Sequence, residues 1–356
     1  MIERLSQYLS LKVISSNRSL GLDILRSIAI YFVLIEHARL NIFPSIKLGS
    51  LGVELFFVLS GFLVGNILLR SFEKFTGIKS IRKFWINRWF RTLPLYYLAL
   101  VIQIIIANDI NWNYLYYFFF LQNNFFGIQL FSVSWSLVIE EWFYLTLPFI
   151  FYLIYLIKRK ITFSGILAVF ISLILFKLYY ISNFESNFSS VNGNIVLRVD
   201  TMLVGVALAW VRRYAQSWFH KLSSVYYFLI GFLSIIAIQI MLFVVFDSSL
   251  INNNSFVLGL YFPIQSICVA LIIPFLYKNE FAILQKKYLE FIKGFITWTS
   301  ILSYTFFLFH INIDQLVDYY FETAGFLLQL IFLYSLSFII YMVYEKPLTN
   351  LRERFK

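Results

Sequence analysis

The chain holds a single cysteine, Cys268, and it lies inside an apolar run. A disulfide framework and a cysteine-ligated zinc site are both excluded, because each needs several thiols at defined spacing. Charge is scarce as well: 13% of the 356 residues are charged, against roughly a quarter in an ordinary soluble domain. That excludes a soluble globular protein. No hydrophilic stretch is long enough to fold as a soluble catalytic domain, so the chain reads as one membrane-embedded domain over residues 1–356, with no soluble C-terminal domain. The first twenty residues lack the apolar core and small-residue cleavage site of a signal peptide, so the first apolar run is expected to stay as an anchor. The net charge of +11 invites a nucleic-acid reading. Such binding gathers lysines and arginines on a solvated module, which is lacking here, so the expected partner is the lipid bilayer and not nucleic acid.

What is abundant is apolar surface: 60% hydrophobic and 21% aromatic residues. Ten apolar runs fall near residues 22–39, 49–69, 92–107, 141–157, 161–181, 196–211, 224–246, 256–277, 297–314 and 326–344. About 20 such residues, rising 1.5 Å each, cross the roughly 30 Å hydrocarbon layer. The expected fold is an all-α polytopic membrane helix bundle of about ten transmembrane helices. Orientation follows from the 29 lysines and arginines: 24 fall in the tails and even-numbered loops, and only Arg39 and Lys47 fall in the odd-numbered loops. Cationic residues collect on the cytoplasmic side, so both termini are expected there. The aromatic segment Asn111 to Val133 has an uninterrupted apolar core of only eight residues, Tyr114 to Leu121. It is expected to lie at the outer interface or to re-enter without crossing.

Ionisable residues inside spans are costly and mark candidate functional positions. Arg26 and His37 are 11 residues apart in the first run, which returns them to nearly one helix face about 16 Å apart along the axis. That pattern suits a path along the helix, and equally an arginine snorkelling to headgroups with an interfacial histidine. Glu54 precedes FFVLSGFLVG, where Gly61 and Gly65 have the spacing of close helix packing. In NRWFRTLP, Arg88 and Arg91 lie three apart on one helix face. Paired guanidiniums suit phosphate groups, although cytoplasmic flanking charge gives the same pattern. SWSLVIEEWFYLTLP carries Glu140 and Glu141 into the fourth run. Adjacent side chains point about 100° apart, so at least one of them faces the bundle. LRVDTMLVG places Arg198 and Asp200 at the outer end of the sixth run, for catalysis or for pairing with neighbouring spans, and SYTFFLFH does the same for His310 in the ninth. Sorted by depth, His37, Glu54, Glu140, Glu141, Arg198, Asp200 and His310 form an outer group, and Arg26, Arg88 and Arg91 an inner one. A histidine with carboxylates outside and arginines inside suggests acid–base chemistry near the outer face and anion binding near the inner face.

Seven motifs in order, GLDILRSIAIYFVLIEHA, GVELFFVLSGFLVG, NRWFRTLPLYY, WSLVIEEWFYLTLP, RVDTMLVG, SYTFFLFH and YEKPL, resemble the integral-membrane acyltransferase-3 family. Its members are acyl-CoA-dependent enzymes that mostly O-acetylate carbohydrates at the outer side of bacterial membranes. The resemblance implies a bacterial inner-membrane O-acyltransferase that moves an acyl group, most often acetyl, from cytoplasmic acyl-CoA to a carbohydrate or lipid-linked glycan, such as O-antigen, capsule or exopolysaccharide, and that uses no metal. It carries the family's R-x10-H pattern onto Arg26 and His37, its R-x-x-R pattern onto Arg88 and Arg91, and its paired glutamates onto Glu140 and Glu141. By that resemblance Arg88 and Arg91 hold the CoA phosphates. His37 is general base or acyl-carrying nucleophile, oriented by Glu140 or Glu141, with Arg26 stabilising charge along the path or holding the helix register. The chain departs from the family in having Glu54 where Asp is common and Asn87 where an arginine is often found. Many relatives add a C-terminal hydrolase-like domain for the acceptor, so a chain ending at Lys356 is expected to act alone or with a separate partner. The competing reading is a transporter or flippase for a lipid-linked glycan, which also needs intramembrane charge. Against it, the sequence has neither an internal repeat nor an inverted pair of broken helices.

Overall fold

A computed structural model describes residues 18–38, 45–74, 77–109, 111–122, 130–246, 248–279, 281, 284, 286–321 and 325–351. The tail cations Arg4, Lys12, Arg352, Arg354 and Lys356 and the loop residue Arg39 lie outside the described residues. Among those described, ten long helices stand where the ten apolar runs were read. They are α1 (Leu20–His37), α2 (Leu48–Glu73), α3 (Ile78–Ala107), α4 (Trp135–Lys158), α5 (Phe163–Asn183), α6 (Ile195–Tyr214), α7 (Val225–Gln239), α8 (Ser255–Lys278), α9 (Glu290–Tyr320) and α10 (Phe326–Ile340). A π-helical turn extends α7 through Ile240–Val245, and another, Tyr341–Glu345, joins α10 to a last helical turn, Lys346–Leu351. The described residues contain no strand.

Eight of these helices are long and apolar enough to cross a membrane; α1 and α6 are not counted among them. Both are diluted by charge: Asp23, Arg26 and Glu36 in α1, and Arg198, Asp200, Arg212 and Arg213 in α6. Their position explains the dilution. Helix α6 packs chiefly on α2, and α1 packs on α2 and α9, so protein rather than lipid surrounds most of their surface. A helix shielded in this way can carry polar groups that find partners, whereas a lipid-facing helix must be apolar all round.

Helices α2 and α6 touch backbone to backbone. A Cβ added to Gly61 would sit 2.0 Å from the Met202 carbonyl oxygen, and one added to Gly205 would sit 2.1 Å from that of Val58. The Gly61/Gly65 spacing therefore serves packing, as small residues do where membrane helices approach closely.

The segment after α3 does not cross. It forms the short turns Trp112–Tyr114 and Leu115–Phe118 and returns through Ser132–Ser134 to α4, with residues 123–129 outside the described set. Tyr117 is buried, and its hydroxyl accepts from the backbone N–H groups of Leu130 (2.8 Å) and Phe131 (3.1 Å). Tyr96 and Tyr97 of α3 donate to the Tyr117 and Phe118 carbonyls, and Trp142 of α4 donates to that of Phe120. The segment is thus held against α3 and α4, and part of it is packed into the bundle.

Candidate active site

The polar face of α1 meets α9 near its first turns. Asp23, 2% exposed, accepts from Arg18 (2.6 Å), Arg26 (3.3 Å) and Ser300 (2.7 Å), so a single carboxylate anchors both arginines and bridges two helices. Arg26 lines a cavity of about 440 Å³ that also borders α2, α3, α4, α9 and the π turn that follows α10. Along α9 the cavity is faced by Ser300, Ser303, Tyr304 and Phe307, residues three or four apart and so on one side of the helix.

Arg88 and Arg91 line the same cavity but are held differently. Arg88 is 3.3 Å from Glu140 and lies over the Tyr144 ring at 4.0 Å. Its guanidinium also donates to the Tyr144 hydroxyl, and both Tyr144 and Ser60 donate to Glu140. Arg91 is exposed to the cavity and has no hydrogen-bond or ion-pair partner among the described residues. Glu345, carried by the π turn of α10, completes the charged lining, with Thr305 donating to it at 3.4 Å. The π turn displaces the helix register locally, and such turns are common at functional sites. Three guanidiniums thus face two carboxylates, so the wall is net cationic. A free planar fork among them suits a phosphate or carboxylate ligand.

Glu140 belongs with Arg88 rather than with the outer group. Helix α3 begins at Ile78, so Arg88 is already ten residues inside it, while α4 starts from the inward-packed aromatic segment and carries Glu140 deeper. Glu141 points elsewhere, as adjacent residues on a helix must: it is buried, and Thr92 donates to it at 2.7 Å. Neither glutamate is bonded to His37, so the expected carboxylate support for that imidazole is not formed.

His37 stands at the outer end of α1, with its Nδ1 2.9 Å from the Val33 carbonyl. A carbonyl only accepts, so Nδ1 carries the proton and Nε2 keeps its lone pair. Its ring lies 4.8 Å from that of His310 on α9, at an interplanar angle of 68°. Phe307 joins this pair to the cavity: it borders the cavity, and its ring is 6.0 Å from His310.

The other polar residues singled out from sequence form a separate knot across α2, α5, α6 and α8. Arg198 pairs with Glu54 at 2.7 Å, and Lys177 with Asp200 at 2.5 Å, all four side chains being at most 2% exposed. Ser266 donates to the other oxygen of Glu54, and the Phe262 ring lies 3.7 Å from the Arg198 guanidinium. These residues are paired with neighbouring spans, which is one of the two roles their sequence context allowed. Sequence reasoning passed over Lys177, Tyr144, Ser60, Thr92 and Glu345. The three- and four-residue polar spacing in SILSYTFF would have exposed the α9 face, while Glu345 stood unread within YEKPL. Among the described residues no cluster of three or more His, Cys, Asp or Glu is placed to hold a metal ion.

Ten long helices among the described residues, most of them able to span a bilayer, with a cation-lined cavity and a histidine pair, define a multi-pass membrane protein. The chain belongs to the acyltransferase-3 family, whose acyltransferase-domain model matches residues 19–345. It is similar to a Staphylococcus aureus (strain COL) protein titled "Putative O-acetyltransferase", 31% identical over 218 residues, or 54% of this chain and 34% of the relative. It is also similar to the peptidoglycan O-acetyltransferase OatA of Listeria monocytogenes, 33% identical over 148 residues, or 36% of this chain and 23% of that one. A Bacillus subtilis protein titled "Putative peptidoglycan O-acetyltransferase YrhL" is 27% identical over 214 residues, 54% of this chain and 33% of the relative. These matches span about a third or less of the relatives' length. No solved structure matches the chain.

Proposed function

We propose that the protein is a membrane O-acyltransferase that moves an acyl group, in the first instance acetyl, from acyl-CoA on the cytoplasmic side to a hydroxyl of a carbohydrate outside the cytoplasmic membrane of a bacterium. The observation that carries this reading is the arginine-lined cavity, bordered by Phe307, whose ring lies 6.0 Å from that of His310 in the histidine pair. The family membership and the names of the relatives support it, with a cell-wall or surface polysaccharide as the acceptor class. Both termini lie in the cytoplasm in this reading, which puts the arginine end of the cavity toward the donor and the histidines toward the acceptor.

Arg91, with Arg26 beside it, binds the CoA phosphates, while Arg88 holds the wall through Glu140 and Tyr144. The pantetheine arm runs through the cavity past Tyr304 and Phe307 and brings the thioester to His37. His37 needs no carboxylate to fix its tautomer, because the Val33 carbonyl does so. Its free Nε2 takes the acceptor proton or attacks the thioester carbonyl itself.

The test is transfer of label from radiolabelled acetyl-CoA to surface polysaccharide by the purified protein in proteoliposomes, with the product position read by NMR. His37→Ala is expected to lower transfer by about 10² to 10⁴ while leaving CoA binding intact. Near-normal transfer by folded His37→Ala overturns the catalytic assignment. Movement of a lipid-linked glycan without consumption of acetyl-CoA favours the flippase reading instead.

A further inference from the structure

We propose that His310 is a second catalytic acid–base residue, which takes the proton of the acceptor hydroxyl while His37 carries the acyl group. This rests on the acyltransferase reading and assigns the two imidazoles different tasks.

Both rings are prepared in the same way. His310 donates its Nδ1 proton to the carbonyls of Phe306 (3.2 Å) and Phe307 (2.9 Å), as His37 does to Val33. Each Nε2 is therefore left with a lone pair. The Nε2 of His310 is buried and has no hydrogen-bond partner among the described residues. A buried polar atom without a partner is rare and calls for an explanation, and here it lies on a ring 4.8 Å from a candidate catalytic imidazole. Between them is a cavity of about 20 Å³, lined also by Asp314 and Gln329, which bond to each other. That space admits one water or one hydroxyl group.

Accessibility separates the roles. His37 is exposed and can meet a thioester, whereas His310 is 5% exposed and can exchange little more than a proton. In the first step Nε2 of His37 attacks the thioester carbonyl, the C–S bond breaks, and the CoA thiolate leaves with the electron pair. The product is a cationic acyl-imidazole still bonded through Nδ1–H to Val33. Its Nε2 lone pair is now used, so His37 cannot also serve as the base. In the second step the acceptor O–H gives its proton to Nε2 of His310 as its oxygen attacks the acyl carbon. The C–N bond breaks, its electron pair returns to His37, and the proton on His310 passes through solvent to neutralise the thiolate. The sum is acyl-CoA plus alcohol giving ester plus CoA–SH.

The experiment compares wild type, His310→Gln, His310→Asn and His37→Ala, each verified by gel filtration and CoA binding, after rapid quenching with radiolabelled acetyl-CoA. In both His310 variants, transfer to acceptor is expected to fall by about 10² to 10⁴, with labelled protein accumulating. His37→Ala is expected to show no labelled protein. Wild-type rates in the His310 variants overturn the inference, and so does lost transfer without accumulated label. The wild type is expected to show a normal solvent deuterium isotope effect on the acceptor step; its absence overturns the inference even if the variants fail to fold. Failure of the wild type to transfer label to any carbohydrate overturns the acyltransferase reading itself, which is a different outcome.

Discussion

Arg88 on α3 and Glu140 on α4 form an ion pair at 3.3 Å, reinforced by Tyr144, whereas Arg91, one turn further on, has no ion-pair partner among the described residues. The two arginines of one motif therefore have separable consequences. Arg91→Ala is expected to weaken binding of acyl-CoA and free CoA with little change in thermal stability, and Arg91→Lys to recover part of the affinity because charge survives without the fork. Arg88→Ala is expected to destabilise the protein by about 1–3 kcal/mol, since it leaves a half-buried carboxylate uncompensated. Calorimetric CoA titration and thermal unfolding in detergent check both; unchanged affinity in Arg91→Ala would remove the cavity as the donor site.

The proposed placement of both termini in the cytoplasm predicts a labelling pattern. In a Cys268→Ser background, single cysteines in the loops after α3, α5, α7 and α9 are expected to react with an impermeant thiol reagent from outside. Cysteines beside Lys158 or Lys221 are expected to react only after permeabilisation. Outside labelling at Lys158 would invert or break the ten-span arrangement.

The buried double pair makes a third prediction. Removing one partner, as in Glu54→Gln or Lys177→Met, strands a charge that is at most 2% exposed. Such losses cost about 3–5 kcal/mol, and replacing both partners together with apolar residues of similar volume costs less. Unfolding of Lys177→Met against Lys177→Met/Asp200→Leu distinguishes this from a packing defect, which the second substitution would not relieve.

At the α2–α6 contact, Gly61→Ala and Gly205→Ala each place a methyl against a backbone carbonyl that cannot move aside cheaply. Each is expected to destabilise by about 1–3 kcal/mol and to lower folded yield. Gly325→Ala, which meets nothing within 4 Å, is the control. Equal yields for all three would contradict the close approach.

The long helices were legible because hydrophobic runs and the asymmetry of lysine and arginine are properties of the chain in a bilayer, independent of which helix neighbours which. The π turn that carries Glu345 was not, since nothing in YEKPL distinguishes a local change of register from an ordinary helix end. Glu140 shows the limit most clearly. Its distance from the start of an apolar run suggested the outer face, but the preceding segment packs into the bundle and α3 begins well before its own apolar run, so the two shifts bring it to Arg88.

The sequence by itself determined that this protein is a multi-pass helical bundle, which residues within it are polar, and that Arg26 and His37 share one face of α1. Those follow from the price of polarity in hydrocarbon and from helical periodicity, both of which act along a single chain. Only the tertiary structure decided the partners: Arg88 with Glu140, Arg198 with Glu54, Lys177 with Asp200, and His37 beside His310 instead of a carboxylate. Pairing depends on the lateral order and relative depth of helices far apart in sequence, and these are set by the summed packing of the whole bundle rather than by any one span.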